Sequence, residues 1–445
     1  MPTPPAGGVA SGSGDFQGKL FGGILFQDIG EDKFLTLDLA TELSIGPVKV
    51  GFQVPISLRI IDEEPKQDDL LRMEDWDELA DFARVIRFLE LNLGGDDWGF
   101  RGRIGALEGE SIGHGTSLAG YYNTLDRDHY QGGLALRAGL GFGGIEFMLD
   151  NILAPEIIGS RVFVRPASFF TPSAWAKDLV LGFSYIADTN APVSLVDGDE
   201  SNDTFDAALD DAGNYQVAST AQVGVMGVDL EYSILKNALI DLVPYVDGNF
   251  LMDQKTGFGL HVGTFFNLKV PSGFGPKIMT RLEYRYVGEN YVPRYIDSLY
   301  EAQRLMFSPS LGTNGPKTKL GWLRDGGGGT HGWLGELYFD FAGLVRVGGT
   351  YEDYEGPNNS ALTLSLLLPE FESLQTGAYY SHRGFDTLED AFNMDGALLL
   401  AFVRSQVWGP VYATAAYSRT WSIDDTGNYA SEDDWNVGVG LSMTY

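Results

Sequence analysis

The chain has 445 residues, with 30 Lys and Arg against 61 Asp and Glu and a formal net charge of −31. It contains no Cys, which excludes a disulfide framework, a thiolate metal site and a Cys nucleophile. No run of basic residues could neutralise a phosphate backbone, so the composition argues against a nucleic-acid partner.

The N-terminal residues, 1–15, are rich in Pro, Gly and Ser. They lack the basic n-region and the apolar h-region of a signal peptide. We expect a flexible segment here, at the start of a mature or truncated form. Residues 16–445 are expected to form a single domain.

Segments of about ten residues that alternate apolar and polar side chains recur from Lys19 onward, separated by Gly, Pro, Asn and Asp. This alternation predicts an all-β fold. The predicted strands are 19–28, 33–45, 48–61, 83–94, 98–108, 129–140, 144–151, 158–167, 176–188, 215–235, 239–252, 256–269, 276–290, 331–342, 344–354, 359–368, 373–385, 393–407, 410–423 and 433–445. They indicate one closed antiparallel transmembrane β-barrel of about 20 strands, within a range of roughly 16–20.

Hydropathy alone does not reveal such a barrel. No stretch approaches the ~20 consecutive apolar residues of a membrane helix, and the mean hydropathy is −0.07. Strands with one lipid-facing and one water-facing side average to nearly neutral values. No repeat of fixed period is present, which argues against a propeller or a solenoid.

The connections between strands differ in length. Short ones, such as Gly46-Pro47 and Gly409-Pro410, alternate with long polar ones. An even strand number then places short turns on the periplasmic side and long loops on the extracellular side. The predicted long loops are 62–82, 109–128, 189–214, 291–330 and 424–432, and a short helix is possible at 74–88.

The 291–330 segment is the longest of these connections. It begins near Tyr291, Pro293 and Tyr295 and contains the Gly-rich run 326–329. That run lacks the Lys-Ser/Thr ending of a phosphate loop. Two arrangements remain open from the sequence: the segment packs onto the barrel mouth, or it folds inward as a constriction.

The final strand has the clearest alternation. Trp435, Val437, Val439, Leu441, Met443 and Tyr445 alternate with small or polar residues. Ten steps at ~3.3 Å, tilted by ~40°, project to roughly 25 Å, the height of the apolar band of membrane barrels. We therefore expect one face of this strand to contact lipid and the other to face a hydrated lumen.

This ending resembles that of bacterial outer-membrane proteins recognised by the β-barrel assembly machinery. Gly440, Met443 and Tyr445 match the resemblance, whereas Gly438 occupies the place of the usual polar residue. The resemblance implies a porin-like barrel in the bacterial outer membrane, with outer-membrane lipid and the assembly machinery as partners.

Charged residues fall on one face of several predicted strands, and a charge facing lipid at the membrane midplane costs about 2–4 kcal/mol. We therefore expect these residues to line a pore. The candidates are Arg101, Arg103, Arg161, Arg165, Arg281, Glu283, Arg285, Glu336, Asp340 and Arg346. About 20 strands enclose a lumen too wide for wall side chains to fill, so water, loops or a plug must occupy it.

These features favour a channel for passive diffusion of ions or small hydrophilic solutes through a charged lumen. The acidic mouth favours cations, and no cofactor or catalytic residue is expected. A second hypothesis is a structural or docking barrel of an envelope complex. A third, an outer-membrane lipase, rests on His114, Thr116 and Ser117, whose spacing does not support a base beside a nucleophile.

Metal binding has little support in the sequence. His129, His261, His331 and His382 lack the pairing of a His metal site. The acidic run over 197–211 lacks the Gly and terminal Glu of a calcium-binding loop, and favours a solvated segment. We see no interface signature that sets the oligomeric state.

Overall fold

The computed structural model describes most of the chain from Phe16 onward. The described residues are 16–29, 32–62, 69–76, 82, 85–95, 98–124, 131–171, 173–198, 205, 207–208, 215–270, 275–305, 307, 317–326, 328–371, 374–394, 396–423 and 429–444. The predicted N-terminal segment 1–15 lies outside them, as do residues 77–81 and 83–84 of the possible helix 74–88, His129 and Tyr445.

Twenty strands within the described residues form one closed antiparallel barrel, which confirms the predicted fold. We number them β1 to β20 in chain order. They are Phe16–Ile29, Asp32–Ile45, Val48–Ile61, Phe88–Gly94, Trp98–Gly105, Gly133–Leu140, Gly143–Leu149, Ile157–Val164, Leu179–Leu195, Val217–Tyr232, Ile240–Met252, Thr256–Lys269, Pro276–Glu289, Gly328–Phe341, Val345–Tyr354, Ser360–Phe371, Leu374–Phe385, Leu398–Trp408, Val411–Ile423 and Tyr429–Thr444.

Each strand pairs with the next, and β20 returns to β1 to close the barrel. The closing register runs from Lys19 opposite Thr444 to Gln27 opposite Asn436. Because the strand number is even, the first and last strands have their outer termini at the same end. Every predicted strand overlaps an observed one, although several boundaries differ.

The four longest connections lie at one end of the barrel, as predicted. At this end, which we call the loop end, they are 62–87, 106–132, 196–216 and 290–327. The predicted loop 424–432 is reduced to 424–428, which lies outside the described residues. The opposite end, the turn end, has short connections such as 46–47 and 409–410. The separation is not complete, because 30–31 and 253–255 are short connections at the loop end. At the turn end, 165–178 is long and contains the 3-10 helices Pro166–Phe169 and Ala174–Lys177.

The outward face of the wall is apolar because the strands alternate. On β13, Leu282 and Tyr286 are 55% and 50% exposed, whereas Arg285 between them is 0% exposed. On β20, Trp435, Val437, Val439, Leu441 and Met443 all point outward and are about half exposed. An apolar belt of this extent requires an apolar environment around the barrel.

Strands β4 to β8 contain only seven or eight residues each and are the shortest of the twenty. The end of β5 shows the physical reason. Gly105 has φ +104°, and a Cβ there would lie 2.4 Å from the Arg87 carbonyl oxygen. The chain leaves the wall at this glycine and turns into the lumen.

Helices are few and short in the part of the chain that the structure describes. Besides the two 3-10 helices above, they are Met73–Asp75, Tyr300–Gln303, Lys319–Arg324 and Asp390–Phe392. None of the helices in the described ranges is both long enough and apolar enough to cross a membrane.

Candidate functional site in the barrel lumen

Two connections from the loop end fold into the lumen. We call residues 106–124 the first inward segment and residues 290–305, 307 and 317–326 the second inward segment. They contact each other through a parallel bridge between Leu118 and Ile296. The Ala119 amide donates to the Ile296 carbonyl at 2.9 Å, and the Arg294 amide donates to the Thr116 carbonyl at 2.8 Å. The sequence left open whether the second segment caps the mouth or enters the lumen, and the structure places it inside.

Both segments pack against the wall through one apolar cluster. The cluster contains buried residues from the first segment, the second segment and the inner faces of the strands, and its members are Leu107, Ile112, Leu118, Tyr121, Ala135, Met148, Ile157, Ile186, Ala191, Val223, Val225, Leu251, Val287, Tyr291, Val292, Tyr295, Ile296, Tyr300, Leu320 and Leu323. Burial of an apolar side chain contributes about 1.5–3 kcal/mol. The cluster therefore gives both segments a fixed position.

Aromatic residues of the second segment fit specific places on the wall. The Tyr291 ring lies over Gly259 on β12, where a Cβ would come within 2.0 Å of the ring. The Tyr291 hydroxyl lies 2.8 Å from His261 Nε2. Further along, the Tyr300 hydroxyl donates to Asp188 Oδ2 at 2.5 Å. The wall thus provides a glycine that leaves room for the Tyr291 ring, and polar partners for the buried hydroxyls.

Basic residues of the second segment meet carboxylates of the wall. Arg294 pairs with Glu336, and its Nη1 lies 3.4 Å from Glu352 Oε1. Nearer the rim, Arg324 Nη2 lies 2.6 Å from Asp253 Oδ1. Charge-assisted bonds of this kind are stronger than neutral ones and fix the orientation of the guanidinium. The segment is therefore complementary to the wall in charge as well as in shape.

A buried ion pair lies within the second segment. Lys319 Nζ is 3.3 Å from Asp297 Oδ2, and Arg383 on β17 also contacts this carboxylate. Burial lowers the pKa of Lys319 to about 8, although Asp297 opposes the shift. Burial also disfavours the charged form of Asp297, but Lys319 and Arg383 outweigh it and hold its pKa well below its usual value.

His114 fixes the first segment to the wall. Its Nε2 lies 2.9 Å from Glu231 Oε2, its Nδ1 lies 3.6 Å from Asp247 Oδ2, and its ring stacks on Tyr245 at 4.2 Å. Burial alone would lower the pKa of His114, but Asp247 and Glu231 outweigh burial and raise it to about 9. The imidazole is therefore a charged anchor at neutral pH.

The lipase hypothesis gains no geometric support from this arrangement. His114 faces carboxylates, while the Ser117 hydroxyl oxygen is buried without a hydrogen-bond partner among the described residues. An activated nucleophile requires its base within hydrogen-bond reach. The described ranges also contain no cluster of three His, Asp or Glu residues placed to hold a metal ion.

A cavity of about 2360 Å³ runs beside the inward segments. Its lining includes Gly46, Lys49 and Gly94 at the turn end, and Pro357 and Trp421 at the loop end. One space is therefore bounded by residues from both ends of the barrel. The inward segments narrow the lumen and leave room beside them.

Five of the predicted pore-lining residues border this cavity: Arg101, Arg161, Arg165, Arg281 and Glu336. The other five, Arg103, Glu283, Arg285, Asp340 and Arg346, are not among the described residues that border this cavity. Glu283 and Arg285 are fully buried, because the second segment covers the wall there. Arg103 donates to the Ala106 carbonyl, and Arg346 pairs with Asp340 at 3.1 Å.

A glycine allows one luminal pair to span a strand. Arg161 on β8 donates to Asp229 on β10 through Nε at 2.9 Å and Nη2 at 2.6 Å. Gly182 on the intervening β9 leaves the path open, since a Cβ there would lie 2.1 Å from Asp229 Oδ2. This contact links three neighbouring strands on the luminal face.

Several lining residues were not predicted from the sequence. Arg137 and Glu146 follow the same strand alternation as the predicted set, so that signal could have found them. Arg294, Asp297 and His114 belong to the inward segments. No strand periodicity marks residues that reach the lumen on a folded-in connection.

Comparisons with known proteins give no family for this chain. No family model matches the chain, and no curated protein matches it. Similar solved structures include the outer membrane protein OpdK from Pseudomonas aeruginosa, with TM-score 0.33 and 9% identity over 97% of this chain and 99% of that one. A mutant of the ferric enterobactin receptor PfeA from the same organism has TM-score 0.34 and 8% identity over 97% and 81%.

CdiB from Acinetobacter baumannii is a third similar structure, with TM-score 0.28 and 7% identity. The match covers 96% of this chain and 60% of CdiB, so this chain spans less than two thirds of that protein. At these values no functional residue is transferred from any of the three. The barrel fold rests on the strand pairings described above.

Proposed function

We propose that this protein is a bacterial outer-membrane channel through which ions and small hydrophilic solutes diffuse passively. The observation that supports the proposal most is the cavity bordered by residues of both barrel ends, inside a wall with an apolar outer face. A closed barrel satisfies its backbone hydrogen bonds internally, as crossing a bilayer requires. The role needs no cofactor and no catalytic residue.

The charge distribution supports weak cation preference at the mouth. The 196–216 connection at the loop end carries seven acidic residues and no Lys or Arg. Such a mouth raises the local cation concentration, and salt screens the effect over about 10 Å at 0.1 M. The cavity lining itself contains both signs of charge, so the acidic mouth is the main source of the cation preference. Because salt screens the charge of the mouth, the preference should weaken as the salt concentration rises.

Planar-bilayer recording of the refolded full chain under a KCl gradient tests this function. We expect discrete current steps and a reversal potential whose sign indicates cation preference, larger at low salt. A folded barrel that inserts and passes no current would overturn the channel proposal. Equal permeability of K⁺ and Cl⁻ at low salt would overturn the cation preference alone.

A docking barrel is the second candidate, because the apolar cluster of the two inward segments fills part of the lumen. In that role the cavity would be sealed by the inward segments, and the loop end would hold another envelope protein. Absence of current together with co-purification of a stoichiometric partner would favour docking over passage.

We also propose that the last strand is the assembly signal, with outer-membrane lipid and the β-barrel assembly machinery as partners. Met443 is half exposed on the outward face and Gly440 is buried, while Tyr445 lies outside the described residues. Removal of Tyr445 should lower the amount of folded protein in the outer membrane. Val403→Leu, a change on the outward face of β18, should leave that amount unchanged.

A further inference from the structure

Two arginines of neighbouring strands face each other inside the barrel. Arg101 on β5 is directly opposite Arg137 on β6 in the antiparallel register. Both side chains border the cavity, with 28% and 32% of their surface exposed. Like charges directly opposite on adjacent strands repel, so this placement is unfavourable unless something between them carries negative charge.

Wall carboxylates compensate this pair only in part. Arg101 Nη2 lies 3.6 Å from Glu90 Oε2, beyond hydrogen-bond distance. Glu90 already accepts from Asn92 Nδ2 at 2.6 Å and from Arg103 Nη1 at 3.3 Å. Among the described residues, the Arg101 guanidinium therefore makes no side-chain hydrogen bond, and its N–H donors face the cavity.

Arg137 is held in place and still has donors to offer. Its Nη2 donates to Glu110 at 3.2 Å and to the Ser111 carbonyl at 2.8 Å. These contacts with the first inward segment fix the guanidinium at the cavity surface. Its Nη1 and Nε make no hydrogen bond within the described part of the chain. One nitrogen therefore holds Arg137 in place, and the other two remain available to a ligand in the cavity that Arg137 borders.

A third cation lies along the same wall. Lys49 on β3 is opposite Glu90 on β4 and also borders the cavity. Glu90 thus stands close to three basic side chains, Lys49, Arg101 and Arg103, of which Arg103 also pairs with Glu108 at 3.2 Å. Four basic side chains, Lys49, Arg101, Arg103 and Arg137, therefore face three carboxylates, Glu90, Glu108 and Glu110. This part of the cavity wall keeps an excess of one positive charge, in contrast to the acidic mouth.

We propose that Arg101 and Arg137 form a binding site for an oxyanion, the carboxylate or phosphate group of a passing solute. The inference deepens the channel proposal and rests on it. Two guanidinium groups with free N–H donors suit an anion with several acceptor oxygens, because Arg presents parallel donors in a fixed fork. Partial exposure keeps the site reachable from the cavity.

The test is block of ionic current by added anions. Succinate or inorganic phosphate is titrated against the KCl current of the full chain, and the half-blocking concentration is compared for the unchanged protein, Arg101→Gln, Arg137→Gln and Arg346→Gln. Arg346 pairs with Asp340 away from the cavity lining, so it is the matched control. We expect either cavity substitution to raise the half-blocking concentration about tenfold, and the control to leave it unchanged.

The outcomes separate the two proposals. Stronger block by succinate assigns the site to carboxylates, and stronger block by phosphate assigns it to phosphate groups. Currents that neither anion blocks, or block that is equal in all four proteins, would overturn the oxyanion site and leave the channel intact. Absence of current from the unchanged folded protein would overturn the channel itself. Arg101→Lys should retain part of the block, since it keeps the charge and loses the fork.

Discussion

The second inward segment and the 62–87 connection leave the barrel at the same end and carry opposite charge. Residues 62–87 contain ten acidic and four basic residues, whereas 290–327 contains three acidic and five basic residues. The described part of 62–87 returns onto the end of β3, where the Arg72 amide donates to the Ser57 carbonyl at 2.9 Å. The basic segment instead enters the lumen and pairs with its carboxylates.

This contrast shows that the charge of the second inward segment matches the part of the inner wall that it covers. The inner wall presents Glu336, Glu352 and Asp253 to the second segment. An acidic segment placed there would leave like charges buried together, which costs several kcal/mol per unpaired ion. A basic segment removes that cost, and its tyrosines add burial of apolar surface.

The largest effect should come from removing the second segment. Replacement of residues 291–326 by a short Gly-Ser linker should raise single-channel conductance several-fold, because the segment narrows the path. The same replacement of residues 197–214 is the control and should change conductance little, although it should weaken cation preference. Equal conductance in both shortened proteins would contradict the assignment of the constriction.

A glycine substitution sharpens the comparison without shortening the chain. Gly259→Ala places a methyl group where the Tyr291 ring lies, and overpacking of this kind costs about 1–3 kcal/mol. We expect larger current fluctuations as the segment loosens, measured in planar bilayers. Gly335→Ala is the matched control, since a Cβ at Gly335 meets nothing within 4 Å. Steady currents from both variants would refute the claim that the contact between Tyr291 and Gly259 holds the second inward segment in place.

Charge selectivity should change when the segment loses its main contact with the wall. Arg294→Gln leaves Glu336 and Glu352 less compensated, so the ratio of K⁺ to Cl⁻ permeability should rise about twofold. Arg324→Gln, nearer the rim and paired with Asp253, should change it less. A reversal potential that shows a lower ratio of K⁺ to Cl⁻ permeability in Arg294→Gln would contradict the charge argument.

The smallest expected effect is the pH dependence of the first segment. The pKa of His114 is raised to about 9, since Asp247 and Glu231 outweigh burial. Its stabilising contribution is fully present below pH ~6.5, the pKa of an unperturbed His, and is lost as pH rises through about 9. Current fluctuations should therefore increase between pH 7 and 10. In His114→Gln this pH-dependent part should be absent, and its persistence would show that another group titrates.

The wall was predictable from the sequence because alternation has a direct physical cause. On β13, Arg281 and Leu282 must face opposite sides, and the structure places them so. Strand ends were less predictable. The end of β5 depends on the positive φ of Gly105 and its close approach to Arg87, which alternation does not encode.

The contents of the lumen were only partly predictable. The tyrosines near residue 291 indicated a segment that packs somewhere, and the choice between mouth and lumen depended on partners distant in sequence. Tyr291 needs Gly259, and Arg294 needs Glu336. Glu283 and Arg285 were expected on the pore surface because strand alternation points them inward. Nothing local in the sequence indicates that the second inward segment covers them.

The most direct test of the account asks which face of the wall meets water. The chain contains no Cys, so single cysteines can be placed on adjacent residues of β16. Ser365 borders the cavity, and Leu366 is exposed on the outer face. In bilayers, a charged thiol reagent should modify Ser365→Cys and reduce its current, while Leu366→Cys should remain protected by lipid. Rapid modification of Leu366→Cys with protection of Ser365→Cys would contradict a water-filled path through this barrel.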